Sequence, residues 1–209
     1  MFYLCSIGSN LDPAHHVSLA VGELLARFGH LRLSSVIQTK PVGMRSRHDF
    51  LNCLFIVESE LSPPQLKAEF VSMELAHGRD RSNPHCKVTD RPLDIDILAS
   101  GPVADFAGSP VDAYLRELLA ECHGGGQVQD PKVALRLHSS KVFVEQRFGQ
   151  APVDLWQPER EQGQVIVHPD ADPRHVATRH HWPERLDDAQ GPATIDPDTD
   201  PRHAATHHH

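Results

Sequence analysis

Apolar residues in the first hundred positions are spaced in two ways, and the order of those spacings leaves few architectures open. Residues 2–7 (FYLCSI) form a short apolar run that stops at Gly8-Ser9-Asn10, the pattern of a buried strand entering a turn. From 13 to 28, Val17, Leu19, Ala20, Val21, Leu24, Leu25 and Phe28 recur at helical intervals, and Gly29 ends the run. Leu31, Leu33, Ser35 and Ile37 alternate with other side chains as a second strand, broken at Lys40-Pro41-Val42-Gly43. Residues 50–58 (FLNCLFIVE) make a third strand. Ser62-Pro63-Pro64 opens a second helix, with Ser62 as N-cap and Pro63 at the first helical position. Leu66, Phe70, Met73 and Leu75 supply its apolar stripe as far as Gly78. Residues 91–100 (RPLDIDILAS) set Leu93, Ile95 and Ile97 against Asp94 and Asp96 as a fourth strand. The order β-α-β-β-α-β, closed by right-handed crossovers, predicts an α+β ferredoxin-like sandwich: an antiparallel four-stranded sheet with both helices on one face.

The second half is built differently. Residues 111–121 (VDAYLRELLAE) read as a short amphipathic helix that closes a domain over residues 1–122. Gly124-Gly125-Gly126 is a flexible break, and no Lys-Ser/Thr follows it to make a phosphate loop. Residues 123–150 form an extension with a hairpin around Ser139-Ser140. From 151 to 209 the chain holds 8 of the 17 prolines and 8 of the 16 histidines. Apolar positions are too sparse there to offset chain ordering, so a mostly disordered His/Pro/Asp-rich tail is expected. It carries a near-repeat, 172–178 and 200–206, two copies being too few for a solenoid. The terminal His207-His208-His209 is either an idle tail or a loose metal binder.

Charge and cysteine usage exclude several classes. The formal net charge is −8, of which residues 1–100 carry only −1. A nucleic-acid binder needs a basic face to displace phosphate counterions, and this chain offers none. A small basic pocket for a phosphorylated ligand remains compatible with that balance. No apolar run approaches the roughly 20 residues that span a bilayer, and the N-terminus lacks the basic start of a signal peptide. A cytoplasmic protein with no membrane partner is expected. Cys5, Cys53, Cys86 and Cys122 lie far apart without metal-ligand spacing, which predicts reduced thiols.

Four clusters carry chemistry. Asp94 and Asp96, one residue apart on a strand, point to the same face about 6.6 Å apart at a rise of roughly 3.3 Å per residue. Two such carboxylates repel, and a hard divalent cation compensates them; a solvated acidic strand face would carry the same letters. Arg79, Arg81 and Arg91 flank the pair and could cradle a polyphosphate or form surface ion pairs. Gly8-Ser9-Asn10 alone says only that the chain turns. Asn52 sits inside an apolar strand, where an amide needs partners. It could read the edge of a heterocycle or cap the preceding loop, and Phe50 beside it is ordinary core by default.

Taken together, these residues resemble the hydroxymethyldihydropterin pyrophosphokinase family over about residues 2–101. The markers run in order: Gly8-Ser9-Asn10-Leu11, Thr39-x-Pro41-Val42-Gly43, Asp49-Phe50-Leu51-Asn52, Glu74-Leu75-x-x-Gly78-Arg79-x-Arg81, and Arg91-Pro92-Leu93-Asp94-Ile95-Asp96-Ile97-Leu98. The family fold is also βαββαβ. The resemblance implies transfer of pyrophosphate from ATP to 6-hydroxymethyl-7,8-dihydropterin, with release of AMP, in folate biosynthesis. It implies two Mg2+ ions held by Asp94 and Asp96, charge neutralisation by Arg79, Arg81 and Arg91, and a pterin pocket of Thr39, Val42, Phe50 and Asn52. Glu74 would line the same cleft, and Asp96 or the metal would help remove the alcohol proton. The family's Pro-His segment after the last strand is replaced here by 109–116 (SPVDAYLR). Tyr114 and Arg116 are then either substitutes or plain helix residues. His85 and Lys87 are the phosphate-facing candidates in the loop 82–90. The alternative is a diverged, non-catalytic paralogue that binds a pterin or nucleotide.

Overall fold

The computed structural model describes residues 1–137 and 146–157 and the backbone of Ile166–Pro169. Strands β1 (Phe2–Ser9), β2 (His30–Leu33), β3 (Ile37–Thr39), β4 (Phe50–Glu58) and β5 (Asp94–Gly101) and helices α1 (Pro13–Phe28) and α2 (Pro63–Ala76) follow the order expected from the sequence. A 3-10 turn (Ala113–Leu115) leads into α3 (Arg116–Cys122), and β6 (Leu135–Arg136), β7 (Arg147–Phe148), β8 (Val153–Trp156) and β9 (Ile166–Pro169) complete the elements. The main sheet runs β5-β1-β4-β2-β8-β9, with β3 also on β4, and every pairing is antiparallel. The ferredoxin-like core is therefore present, with extra strands added beyond β2.

The helices form where the sequence marks them. Ser62 caps α2 and shares a capping box with Gln65, whose side chain accepts from the Ser62 N–H at 2.9 Å. The inward face of α2 differs from the expected stripe in one place. Leu75 is 52% exposed, whereas Glu74 is fully buried beside Leu66, Phe70 and Met73. Position 74 lies four residues after Phe70 on the core face, and its carboxylate finds partners there, described below.

Two cores sandwich the sheet. Tyr3, Cys5 and Ile7 on β1 and Cys53, Phe55 and Val57 on β4 pack under α1 and α2, with Phe55 and Phe70 edge to face at 6.0 Å. The alternate residues Leu4, Leu54 and Ile56 face the other way, under Phe106, Leu115, Leu118 and Leu119. β4 is buried on both faces, which is why its sequence is apolar without alternation. All four cysteines are free thiols, and burial pushes Cys53 up to about 12.

The second expected strand is split. Leu33 pairs with Phe55 but Ile37 pairs with Asn52, so this side carries one more residue than β4 does. The extra residue is accommodated at Ser34, whose N–H donates to the Leu54 carbonyl while its hydroxyl accepts from the Leu54 N–H.

β6 and β7 pair as Leu135↔Phe148, while Ser139-Ser140, where the hairpin turn was expected, lies outside the described residues. β8 lies beyond the boundary drawn at residue 150, yet it pairs with β2 from His30↔Trp156 to Leu33↔Val153. The His30 and Trp156 rings stack at 3.6 Å, and Leu155 is buried in the first core. Composition averaged over the tail hid this four-residue strand. The near-repeat and terminal histidines lie outside the described residues. Among the described residues no helix is long and apolar enough to cross a membrane. Leu155→Ala is expected to destabilise the fold by about 2–4 kcal/mol in urea denaturation, as a buried large-to-small change does. A loss below about 0.5 kcal/mol would show that β8 contributes no core.

Candidate active site

The second face of the sheet changes character halfway along its strands. Period-two alternation that puts Leu4, Leu54 and Ile56 under α3 next puts Ser6 and Gly8, Asn52, and Asp94 and Asp96 on that same face. Register brings them together: Gly8 lies between Asn52 on one side and Asp94 on the other, and Ser6 is opposite Asp96. They floor a cavity of about 190 Å3.

One end of the cavity is acidic and cationic at once. Both oxygens of Asp94 are taken, by Arg79 at 2.6 Å and Arg91 at 2.8 Å. Burial alone would raise the Asp94 pKa; the hydrogen bond and charge of Arg79, with Arg91, outweigh it and hold the carboxyl below its ordinary value. Burial likewise opposes the Arg79 charge, but Asp94, Glu74 and Asp96 raise its pKa further. Asp96 is about half exposed and accepts from the Lys67 ammonium at 2.9 Å.

Behind this end lies Glu74, with no solvent exposure. Its Oε2 accepts two bonds from Arg81, from Nε at 2.7 Å and from a terminal nitrogen. Its Oε1 accepts from the Ile95 N–H at 2.9 Å and lies 3.2 Å from Arg79. The chain reaches these positions because Gly78 adopts φ 92°, a left-handed turn that ends α2 and lets the Arg79 N–H donate to the Glu74 carbonyl.

The other end is aromatic and amide. Phe50, Asn52, Thr39 and Val42 line it. Asn52 donates through its amide nitrogen to the Thr39 hydroxyl at 2.7 Å, and a Cβ on Gly8 would stand 2.9 Å from its amide oxygen. Glycine at position 8 therefore leaves room for the Asn52 amide. Arg91 joins the two ends, its guanidinium 6.0 Å from the Phe50 ring centre. Buried Asn10 holds Arg91 in place: its Oδ1 accepts from the Arg91 N–H at 2.7 Å, its N–H donates to the Arg91 carbonyl at 3.0 Å, and its amide donates to Asp90 at 2.8 Å.

Of the residues singled out from sequence, Thr39, Val42, Phe50, Asn52, Arg91, Asp94 and Asp96 line one cavity. Glu74, Arg79 and Arg81 do not; Arg79 is nearly buried behind Asp94, and Arg81 is about one-third exposed on Glu74. Tyr114 lines the cavity and Arg116 does not. Burial, then the charges of Asp112, Asp94 and Asp96, push the Tyr114 hydroxyl pKa up. Lys87 lines the cavity and His85 does not. Reasoning from sequence missed Lys67, because only the fold shows that α2 overhangs β5, and underrated Asn10, whose only signal was a carboxamide in a turn.

The donor set suits a hard divalent cation in part. Asp94 and Asp96 offer carboxylate oxygens on one face, but among the described residues no group of three or more His, Cys, Asp or Glu could hold an ion alone. Such a half-site fits magnesium, which keeps waters and completes its shell with phosphate oxygens.

Residues 4–141 match the protein family described as 7,8-dihydro-6-hydroxymethylpterin-pyrophosphokinase. Among curated proteins, the chain is 39% identical over 95 residues to a 2-amino-4-hydroxy-6-hydroxymethyldihydropteridine pyrophosphokinase of Porphyromonas gingivalis, covering 44% of this chain and 65% of that one. It is 33% identical over 99 residues to the protein of the same name from Haemophilus influenzae, covering 46% and 60%. It is 34% identical over 110 residues to a folate synthesis bifunctional protein of Chlamydia trachomatis, covering 49% and 24%. The matched segment thus spans less than two thirds of each of these relatives.

Asp94→Asn is expected to lower stability by about 2–4 kcal/mol at pH 7, because Arg79 and Arg91 both lose the anion they bond in a largely buried place and Arg79 keeps only the longer contact to Glu74. The depressed Asp94 pKa contributes stability that is present above its unfolded value of about 3.9 and is lost as pH falls through the lower folded value. The gap between wild type and variant, followed by urea denaturation, should therefore close below about pH 4. A gap that stays constant with pH would contradict the charge pairing.

Proposed function

Because this chain belongs to the 7,8-dihydro-6-hydroxymethylpterin-pyrophosphokinase family, we propose that it transfers the terminal diphosphoryl group of ATP to the hydroxymethyl oxygen of 6-hydroxymethyl-7,8-dihydropterin. The observation that carries this reading is the continuity of the cavity: an aromatic-and-amide end built by Phe50, Asn52 and Thr39 opens directly onto a carboxylate–guanidinium end built by Asp94, Asp96 and Arg91. A flat heterocycle suits the first end and a polyphosphate suits the second. The matched part of the curated relatives supports the same chemistry.

In this reading the pterin ring packs beside Phe50, with Tyr114 as the second ring at the cavity wall. The Asn52 amide, held by Thr39, offers its oxygen to the heterocycle edge. The hydroxymethyl oxygen attacks the β-phosphorus of ATP in line, forming an O–P bond while the bond from that phosphorus to the α,β-bridging oxygen breaks. AMP leaves with the bridging oxygen. The alcohol proton passes to Asp96, directly or through water, or is released to solvent once a bound metal would have lowered the alcohol pKa. Arg91 faces the cavity and stabilises charge on the transferred group, and Lys87 adds a second cation. Arg79 serves by fixing Asp94, and Arg81 by satisfying Glu74. Two magnesium ions, where bound by Asp94, Asp96 and the triphosphate, would supply charge neutralisation on the phosphate oxygens. No covalent intermediate is required, since positioning and charge stabilisation suffice for phosphoryl chemistry.

The test is AMP release from ATP, magnesium and 6-hydroxymethyl-7,8-dihydropterin. Asp96→Ala is expected to lower turnover by at least about a hundredfold. Gly8→Ala crowds the Asn52 amide and is expected to raise the KM for the pterin about tenfold, with a smaller effect on ATP. Absence of pterin-dependent AMP from the folded wild-type protein would overturn the reading. Pterin binding without magnesium-dependent ATP affinity would then identify a non-catalytic relative.

A further inference from the structure

The free edge of β5 is closed by a helix. Ile95, the residue between the two cavity aspartates, faces Ile7 across the β1 pairing and turns its own N–H and C=O outward. Two side chains of α2, seven residues apart and so on one helix face, take these groups. Glu74 accepts the N–H at 2.9 Å, and the Lys67 ammonium donates to the C=O at 2.7 Å. Lys67 does more than cap the edge. The same nitrogen donates to Oδ1 of Asp96 at 2.9 Å.

The two aspartates therefore present themselves differently. Asp94 has Arg79 on one oxygen and Arg91 on the other. Asp96 has Lys67 on Oδ1, and its Oδ2 has no hydrogen-bond partner among the described residues, on a side chain that lines the cavity. A carboxylate about half exposed would otherwise sample several rotamers. An ammonium is a compact charge with three donors, so it can bridge a carbonyl and a carboxylate that a planar guanidinium would not fit together.

We propose that Lys67 is a positioning residue for the transfer: anchored on the Ile95 carbonyl, it holds one oxygen of Asp96 and leaves the other to serve the cavity. This rests on the diphosphoryl-transfer reading above. The same positive charge has a second consequence. Lys67, Arg79, Arg81 and Arg91 outnumber Glu74, Asp94 and Asp96 around this end, so a bare divalent cation is disfavoured, and the negative charge of a triphosphate restores the balance. Lys67 thus couples two properties that usually move together: it lowers affinity for the free cation while keeping the carboxylate in its working rotamer.

Lys67→Met and Lys67→Gln, made in the full chain, test this by two readouts. In Lys67→Met, Mn2+ alone, followed by electron paramagnetic resonance without nucleotide, should bind about three- to tenfold more tightly than in wild type, since a nearby like charge is gone. Turnover should fall about tenfold or more with the pterin KM within twofold, because the loss is one of orientation. Lys67→Gln keeps a donor for the Ile95 carbonyl without the charge, so it guards against unfolding and should show the same tighter Mn2+ binding with part of the turnover restored. Unchanged or weaker Mn2+ binding in both folded variants, or turnover within twofold of wild type, would overturn the proposal. If the wild-type protein makes no AMP, the transfer reading fails. The Mn2+ arm still reports whether Lys67 screens Asp96.

Discussion

Glu74 is a carboxylate with no solvent exposure, and taking such a charge out of water costs several kcal/mol unless it is fully paired. It is paired four ways: twice by Arg81, once by the Ile95 N–H and once, at 3.2 Å, by Arg79. The end of α2, the loop after it and the start of β5 must therefore stay in register with one another, because a shift would strand the buried charge. Arg79, held there, reaches Asp94 at 2.6 Å. The cavity's acidic end is thus set from behind, by a network that does not itself line the cavity. The cost of burying Glu74 is met in hydrogen bonds, and the return is a carboxylate pair whose place in the sheet is settled before any ligand arrives.

Asn10 does for the front of the cavity what Glu74 does for the back. Its side chain and backbone clamp Arg91 from both sides, and its amide ties Asp90 to the turn after β1. Arg91 also donates to the Lys87 carbonyl at 2.5 Å. The loop that carries Lys87 is consequently linked to the cavity through the same guanidinium that bonds Asp94. A single arginine couples the sheet, the turn after β1 and the loop, which is why its position matters more than its charge alone.

The parts of the molecule legible in the sequence are those where one residue's environment repeats at a fixed period. Asp94 and Asp96 share a face because strands alternate, and Ser62-Pro63 starts α2 because capping is local. What could not be read depends on contacts across the fold. Glu74 looked like a cleft residue and Leu75 like core; their exchange follows from partners that α2 meets only when docked on β5. The bulge at Ser34 needs Leu54 opposite it, and Lys67 needs the overhang of its helix. β8 was lost because four strand residues are few within a polar, proline-rich tail, although His30 and Trp156 stack to seat it.

The site itself is a consequence of where a hydrophobic pattern stops. On the face under α3, β1 and β4 carry Leu4, Leu54 and Ile56, and the helix covers them. One step of the alternation further, the same strands carry Ser6 and Asn52, with Gly8 beyond, and β5 carries Asp94 and Asp96. A helix cannot cover those positions without desolvating an amide and two carboxylates, so the covering layer ends there and the sheet lies open. The short length of α3, seven residues from Arg116 to Cys122, suits that division. Packing fills one half of the face and charge keeps the other half accessible. The cavity is the boundary between them, and Gly8, where a side chain would meet the Asn52 amide, keeps that boundary open.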